Sequence, residues 1–364
     1  MYGIELPNIL IEAEDFSEYG GWLVDSQFET VMGSPYLLAH GLGKTVKDAK
    51  TSIQVPKSGN YDLFVRTRDW VPAHSPGRFQ VLINEVPVGK EFGANGKDWN
   101  WETGGKVYLP EGLVILRLKD LTGFDGRCDA IYFSGDGIEP PNQVDQTSRA
   151  WRKNQRGLPE EPIDGGSYEI VVVGGGISGC AAALAAIRYG RKVALIHDRP
   201  VLGGNASTEI GLMPRGTQGA VLKEISQRKE NGDLKAYEIL KSEGVTVFLE
   251  QRVFAAEATK NKIKSVDTVS TRGGYERRIK GSIFIDTSGV AVLSTFSGAE
   301  TMFGREGRNE FGESYAPDKA DNMHHGNTLF FRTRMADEPI DFPEVPWATE
   351  VSKDYANLSG QLVR

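Results

Sequence analysis

The stretch Tyr168-Glu-Ile-Val-Val-Val-Gly-Gly-Gly-Ile-Ser-Gly-Cys-Ala-Ala-Ala-Leu-Ala-Ala-Ile-Arg-Tyr-Gly-Arg-Lys-Val-Ala-Leu-Ile196 decides the fold of the second half of the chain. It opens with the short apolar run 170–173, which is typical of a buried parallel strand. Three glycines follow with G-x-G-x-x-G spacing, Gly174, Gly176 and Gly179, and then an alanine-rich helical segment and a second apolar run. Strand, glycine turn, helix and strand in this order predict a dinucleotide-binding βαβ unit.

Each of these glycines has a physical role in such a unit. Gly174 permits the tight turn, Gly176 lets the backbone approach a pyrophosphate, and Gly179 lets the helix pack closely on the strand. The first turn of the helix, which includes Ser178, points free N–H groups and the positive end of the helix dipole at the phosphates. We therefore predict cofactor contacts from the three glycines and Ser178.

The residues after the second strand favour FAD over NAD. His197 stands where an acidic residue commonly holds the adenosine ribose, and we expect the neighbouring Asp198 to take over the ribose hydroxyls. Gly203, Gly204 and Asn205 resemble the glycine doublet of two-dinucleotide-domain flavoproteins, which lies near the cofactor phosphates. An NAD-dependent dehydrogenase remains an alternative, since the strand end does not exclude it.

Composition limits the classes of partner. The chain has 364 residues, enough for two or three domains, and a net charge of -7, which argues against a nucleic-acid partner. Its longest wholly apolar stretch, 180–187, is too short to span a membrane. Residues 1–7 lack the basic head and apolar region of a secretory signal, which predicts a cytoplasmic protein, or a periplasmic one if a signal is missing.

The two cysteines, Cys128 and Cys180, fall in different predicted domains. We therefore expect no disulfide between them. Two thiolates also cannot supply the four ligands of an iron–sulfur cluster, so no such cluster is expected.

The first part of the chain has a different pattern. Short alternating runs separated by turn residues predict an antiparallel β-sandwich over residues 1–135, with strands at 61–66, 79–83, 113–118 and 130–133. Residues 136–166 contain four prolines and few apolar residues, which predicts a semi-rigid linker.

Residues 167–290 predict a Rossmann-like α/β domain with a β-meander. A helical stretch at 219–241 is broken near 231–232, and a third parallel strand follows at 245–250. Three later strands form a predicted antiparallel meander, at 252–259, 262–271 and 276–280. A separate return strand follows at 282–286. This layout is that of glutathione-reductase-like flavoproteins, and residues 291–364 would begin the substrate-side region.

Four segments carry a family likeness: 202–210, 284–289, 297–306 and 310–313. They resemble the FAD-dependent oxidoreductase family of carbohydrate-using bacteria, which is related to the flavin subunit of heterodisulfide reductases. The resemblance implies FAD as cofactor, with further contacts from Val253, Thr287 and Gly289. The chain departs from the family at Val290, where an acidic residue usually contacts the flavin side chain, and it looks C-terminally truncated at Arg364.

The N-terminal domain resembles carbohydrate-binding modules of families 6 and 35, which are galactose-binding-like sandwiches. The likeness rests on segments 11–16, 55–66 and 129–132. It implies a structural calcium ion held by Glu12, Glu14 and Asp129, whose carboxylate oxygens suit that ion.

Two groups of residues are candidates for chemistry and sugar binding. Oxidation of an alcohol by a flavin needs a base for the O–H proton, and His324 and His325 lie where the substrate-side region should begin. Trp70, Trp99 and Trp101 fall in loop-like segments, where their ring faces could stack on a sugar, although Trp99 and Trp101 could equally pack against the flavin domain.

These observations predict an FAD-dependent oxidoreductase that transfers a hydride from a sugar or sugar-derived substrate to the flavin. The alternative is a glycan-binding protein with an incomplete, redox-silent flavin domain, and the second alternative is the NAD-dependent dehydrogenase. The expected partner is a small molecule or an oligosaccharide, with no nucleic acid and no membrane, and the oligomeric state stays open.

Overall fold

A computed structural model describes residues 6–26, 29–259, 262–323 and 335–340. These residues form two compact units. The first comprises residues up to Glu160 together with 336–340, and the second comprises Glu161 to Met335.

The first unit is an antiparallel β-sandwich. Its described strands are β1 (Ile9–Glu12), β2 (Leu23–Asp25), β3 (Tyr36–His40), β4 (Ala49–Val55), β5 (Gly59–Thr67), β6 (Phe79–Ile83), β7 (Val86–Phe92), β8 (Asn100–Leu109), β9 (Gly112–Asp120) and β10 (Phe124–Ser134), with a short helix α1 (Glu29–Met32) after β2. One sheet has the order β2-β3-β10-β5-β8, with β1 also paired to β10, and the other has the order β4-β9-β6-β7.

Side-chain alternation explains the core of the sandwich. Leu63 and Val65 of β5 meet Val114, Leu116 and Leu118 of β9 in one apolar cluster between the sheets, and all five are fully buried. Residues two apart on a strand share a face, so these runs bury one face of each sheet. The predicted β-sandwich and its four predicted strands are confirmed.

The segment predicted as a linker contains regular structure. Helix α2 (Gln146–Gln155) lies within it, capped by Asp145, whose side chain accepts a 2.8 Å hydrogen bond from the backbone N–H of Ser148. Trp151 of this helix packs edge-on against Tyr132 of the sandwich, with ring centroids 5.2 Å apart. The prolines that suggested a linker lie on either side of the helix, so they bound it rather than prevent it.

The second unit is built on one mixed sheet. Its described elements are β11 (Ile163–Val173), α3 (Ile177–Arg188), β12 (Val193–Ile196), α4 (Ala220–Ile225), α5 (Ala236–Ser242), β13 (Thr246–Phe248), β14 (Gln251–Thr259), β15 (Lys262–Ser270), β16 (Glu276–Asp286), α6 (Val292–Ser297) and α7 (Arg308–Phe311). The strand order is β13-β12-β11-β16-β15-β14. β11 pairs in parallel with β12 and β16, and β14 to β16 run antiparallel, so the Rossmann-like domain with its meander is confirmed.

The meander and the return strand are not separate, contrary to the sequence prediction. β16 pairs with β15 up to Lys280 and with β11 as far as Asp286. Gly281 read as a break in the sequence, but it marks a close approach: a Cβ there would lie 2.7 Å from Cγ2 of Val171. One continuous strand therefore joins the meander to the parallel sheet.

Cys128 of β10 and Cys180 of α3 are buried free thiols, as expected. Burial raises the pKa of both thiols, that of Cys180 to about 12. Among the described residues, no helix combines the length and apolar character needed to cross a membrane.

Candidate functional site

The turn between β11 and α3 has the geometry that the glycine spacing predicts. Gly174 has a φ of +106° and donates its N–H to the Ile196 carbonyl at 2.8 Å. A Cβ at Gly179 would lie 1.8 Å from the Gly174 carbonyl oxygen, so this position needs a glycine for packing. A Cβ at Gly176 would meet no protein atom within 4 Å, so its missing side chain leaves open space beside the backbone.

The glycine doublet lies directly against this turn. Gly203 donates its N–H to the Gly175 carbonyl at 2.8 Å and forms a parallel bridge with Gly176. Gly203 and Gly204 have φ angles of +116° and +56°, a left-handed region that favours glycine. The two glycine segments, 29 residues apart in the sequence, thus form one backbone cradle.

A cavity of about 470 Å³ opens over this cradle. Of the residues predicted to bind the cofactor, Gly179 alone does not line this cavity, because it packs behind the turn. The predicted residues that do line the cavity are Gly174, Gly176, Ser178, His197, Asp198, Gly203, Gly204, Asn205, Val253, Thr287 and Gly289. Gly176 is the N-cap of α3, so the first N–H groups of that helix have no acceptor within the helix. An apolar-walled cavity with free N–H groups and the positive end of a helix dipole fits an anionic dinucleotide.

His197 supports the cradle with both ring nitrogens. The backbone N–H of Gly175 donates to Nδ1 at 3.0 Å, so the proton is on Nε2, which donates to the Val201 carbonyl at 3.1 Å. Burial lowers the pKa of His197, and this outweighs the opposite effect of the Asp198 carboxylate, 3.4 Å from Nδ1. His197 is therefore a neutral imidazole that holds the turn, and its nitrogens are not available to a ribose.

Asp198 lies where it could accept hydrogen bonds from a ribose in place of His197. Its side chain is 59% exposed and lines the cavity at the carboxyl end of β12. An acidic residue near this point of a Rossmann fold commonly accepts hydrogen bonds from ribose hydroxyls.

The carboxyl end of β16 closes the cradle on the other side. Thr287 donates its hydroxyl to the Gly174 carbonyl at 2.8 Å and its backbone N–H to the Val173 carbonyl at 2.8 Å. The sequence reasoning missed Asp286, whose carboxylate accepts hydrogen bonds from the backbone and hydroxyl of Ser288 and of Ser294. Burial acts to raise the pKa of Asp286, but these hydrogen bonds outweigh it and the pKa is lowered.

A sequence signal for Asp286 was available. An Asp followed two residues later by Ser, at the end of an apolar strand, is typical of a turn in which the side chain accepts the backbone N–H. Asp286 shapes the loop that places Ser288, Gly289 and Val290 on the cavity wall.

The three predicted sugar-binding tryptophans differ in burial. Trp99 is 8% exposed and packs on Tyr36, and Trp101 is 6% exposed and packs on Tyr132. The expectation of exposed rings is wrong for both: Trp101 lies in β8 and packs in a buried cluster with Phe64 and Tyr132, and Trp99, just before β8, packs in another with Met32 and Tyr36. Trp70 is half-buried, with its Nε1 donating to the Phe124 carbonyl and the Arg127 guanidinium 5.2 Å from its ring.

The other predicted sites have different outcomes. Glu12, Glu14 and Asp129 converge in the sandwich, with one oxygen from each within 4.8 Å of the others. His324 and His325, the predicted bases, lie outside the described residues.

The fold and the cradle together define a dinucleotide-binding oxidoreductase domain, and the family match makes the class specific. The family model described as FAD dependent oxidoreductase matches residues 169–234 and 228–361. The chain therefore belongs to the FAD-dependent oxidoreductase family and is an enzyme with FAD as its cofactor. This match favours FAD over the NAD-dependent alternative and an enzyme over the redox-silent one.

Curated relatives are similar over part of the chain. The soluble pyridine nucleotide transhydrogenase of Azotobacter vinelandii is 40% identical over 65 residues, 18% of this chain and 14% of that protein. The protein of the same name from Pseudomonas putida strain KT2440 is 31% identical over 131 residues, 35% of this chain and 26% of that protein. The chain thus spans about a quarter or less of the length of these relatives.

Solved structures match each unit separately. A family 35 carbohydrate-binding module from Clostridium thermocellum matches with a TM-score of 0.30 and 18% identity, over 35% of this chain and 96% of that chain. A geranylgeranyl bacteriochlorophyll reductase-like protein from Thermoplasma acidophilum matches with a TM-score of 0.29 and 15% identity, over 37% of this chain and 42% of that chain.

Proposed function

We propose that this enzyme uses FAD, held at the glycine cradle, to oxidise a sugar or sugar-derived alcohol by hydride transfer. The observation that carries the cofactor assignment is Gly176, which caps α3 and leaves open space in the wall of the cavity. The motifs of the flavin unit resemble a family of carbohydrate-using bacteria, and those of the sandwich resemble carbohydrate-binding modules. Both resemblances support a sugar as the substrate class.

Different residues of the cradle would bind different parts of FAD. The pyrophosphate would lie over Gly176 and the first turn of α3, where N–H groups and the helix dipole favour negative charge. Asp198 would accept the ribose hydroxyls, and the wall at Val253 would cover the adenine end. Asn205, beside the glycine doublet, would donate to a phosphate oxygen.

The chemistry divides between the cofactor and the chain. When bound, FAD supplies an acceptor for a hydride. The substrate hydroxyl must also lose its proton, and we assign that role to His324 or His325, since a histidine with a pKa near neutrality is an efficient base.

Trp70 is our candidate for sugar contact in the sandwich. Its ring is half-exposed, and the guanidinium of Arg127 beside it is a donor for a hydroxyl or carboxylate on a sugar. Arg127 is held by a 2.8 Å hydrogen bond to the Asp125 carbonyl, which fixes its position near the ring.

Anaerobic titration of the FAD-loaded protein with a panel of aldoses, uronic acids and sugar alcohols tests the proposal. A sugar substrate should bleach the visible flavin absorption, and bleaching should be lost in the double variant of His324 and His325 to Asn. Bleaching by NADH or NADPH, with none by any sugar, would instead favour a nicotinamide-linked activity such as that named for the curated relatives.

A further inference from the structure

The sandwich contains a buried cluster of three acidic residues. Glu12 ends β1, Glu14 lies in the 3-10 turn that follows it, and Asp129 is on β10, the strand that pairs with β1. All three are at least 97% buried, as their exposures of 2%, 3% and 0% show. The resemblance to carbohydrate-binding modules implies that such a cluster holds calcium.

Two guanidinium groups enter the same cluster. Arg152 of α2 donates from Nη1 to Oε2 of Glu12 at 2.8 Å and from Nη2 to Oδ2 of Asp129 at 2.6 Å. Arg66 of β5 donates from Nη1 to the same oxygen of Asp129 at 2.9 Å. The other oxygen of Asp129 accepts the hydroxyl of Ser34 at 2.7 Å.

We propose that Arg152 is the cation of this cluster and that it takes the place of calcium in this chain. A calcium ion needs six to eight oxygen ligands. Here the oxygens of Asp129 and one oxygen of Glu12 already accept protein hydrogen bonds. A dication among these oxygens would also lie within a few ångströms of two guanidinium charges, which repel it strongly in a buried site.

Arginine side chains already supply positive charge to this cluster. Oε2 of Glu14 is buried without a hydrogen-bond partner within the described part of the chain, and the calcium experiment below tests whether this oxygen recruits an ion. Arg66 and Arg152 pair with Asp129, Arg152 also pairs with Glu12, and Arg156 of the same helix adds a third guanidinium, with its Nη1 3.9 Å from Oε1 of Glu12.

The exchange of metal for arginine has a structural consequence. Calcium would be bound by the sandwich alone, whereas Arg152 belongs to helix α2, outside the strands. Arg156, one turn later, pairs with Asp15, and Trp151 packs on Tyr132. The ion cluster therefore fastens α2 to the sandwich and makes the helix part of the unit.

Thermal unfolding of the full chain, followed by tryptophan fluorescence, tests this. Trp22, Trp70, Trp99, Trp101 and Trp151 all lie in the sandwich unit, so their emission reports on it. The wild-type transition should be the same in excess EDTA and in excess calcium chloride. In Arg152→Met the midpoint temperature of unfolding in EDTA should be roughly 10 °C lower than in the wild type, because the buried carboxylates lose their partner. Calcium chloride should then raise it again, since the acids are free to bind the ion.

Two further variants control the experiment. Arg149→Met removes an exposed arginine of the same helix that is not part of the acidic cluster, and it should change the unfolding temperature far less than Arg152→Met, with no response to calcium. Arg152→Lys keeps a cation but cannot bridge two carboxylates, so it should lower the transition less and remain insensitive to calcium. If Arg152→Met does not fold, the wild-type and lysine proteins carry the test.

Two results would overturn the proposal. Stabilisation of the wild-type protein by calcium would show that the metal is resident and that Arg152 is not its substitute. Insensitivity of a folded Arg152→Met protein to calcium would show that these acids are not a cation site at all.

Discussion

The backbone N–H of Gly175 donates a 3.0 Å hydrogen bond to Nδ1 of His197, which ties the glycine turn to the end of the neighbouring strand. His197 is 5% exposed, and its Nε2 is used by the Val201 carbonyl. A residue that the family pattern places against the ribose is therefore, in this chain, a support for the pyrophosphate turn. The exposed carboxylate of Asp198, which lines the cavity, is the group that we propose for the ribose contact.

The burial of His197, which lowers its pKa, predicts a pH dependence. Because the pKa of His197 is lowered in the folded protein from an ordinary value of 6.5, the unfolded chain binds more protons below that pH. The stabilisation is complete above about pH 6.5 and is lost as the pH falls toward the folded pKa, with a slope of up to about 1.4 kcal/mol per pH unit. Asp198 and Glu209 oppose the shift, and Arg199 adds to it.

FAD release on heating, followed by flavin fluorescence between pH 5 and 8, measures that effect. His197→Asn keeps an acceptor near the position of Nδ1 but does not titrate, so its profile should be flatter below pH 6.5. Equal slopes in both proteins would contradict the assigned role.

Gly176→Val should abolish FAD binding while the protein still folds. A Cβ there meets no protein atom within 4 Å, so the side chain occupies only the cavity. Gly219→Val is a matched control, since Gly219 is also a helix N-cap with extended backbone and open space around it, but it is not among the residues that line the cavity. Flavin content after gel filtration should be near zero in the first variant and normal in the second; equal content would refute the cradle.

Thr287→Val should weaken the junction between β16 and the glycine turn. The lost hydroxyl donates to the carbonyls of Gly174 and Val173, and a hydrogen bond of this kind contributes about 1 kcal/mol. We expect a drop of about that size in the free energy of unfolding of the flavin unit, measured in urea, and weaker FAD binding. Thr287→Ser keeps the donor and should behave as wild type; a Val variant as stable as wild type would contradict the role assigned to the hydroxyl.

The tryptophans of the sandwich should separate into two classes. Trp101→Ala empties a packed core position and should cost about 3–5 kcal/mol of stability. Trp70→Phe keeps an aromatic ring but loses the Nε1 donor to Phe124, so it should cost about 1 kcal/mol. Urea unfolding compares them, and equal losses would contradict the burial pattern.

Local signals in the sequence predicted much of this molecule. The spacing of Gly174, Gly176 and Gly179 predicted the turn: Gly174 and Gly179 need a glycine because a Cβ would clash with the backbone, and Gly176 leaves open space in the cavity. Alternation of apolar residues predicted the sandwich strands, and nearly all residues predicted to bind the cofactor line one cavity because strand ends in this fold converge on one edge.

The errors involved contacts between residues distant in the sequence. Arg152 could not be paired with Glu12 in advance, because 140 residues separate them. Gly281 seemed to end a strand, and only its approach to Val171 explains why the strand continues. Trp99 and Trp101 read as loop residues because β8, which begins at Asn100 between them, is rich in glycine and polar residues and gives a weak local signal.

The most direct test of the account is the visible absorption spectrum of the purified chain after incubation with FAD and removal of the excess by gel filtration. We predict the bands of oxidised flavin at close to one FAD per chain, retained in Gly219→Val and absent in Gly176→Val. A colourless wild-type protein would contradict the account, because it would show that the glycine cradle does not hold the cofactor.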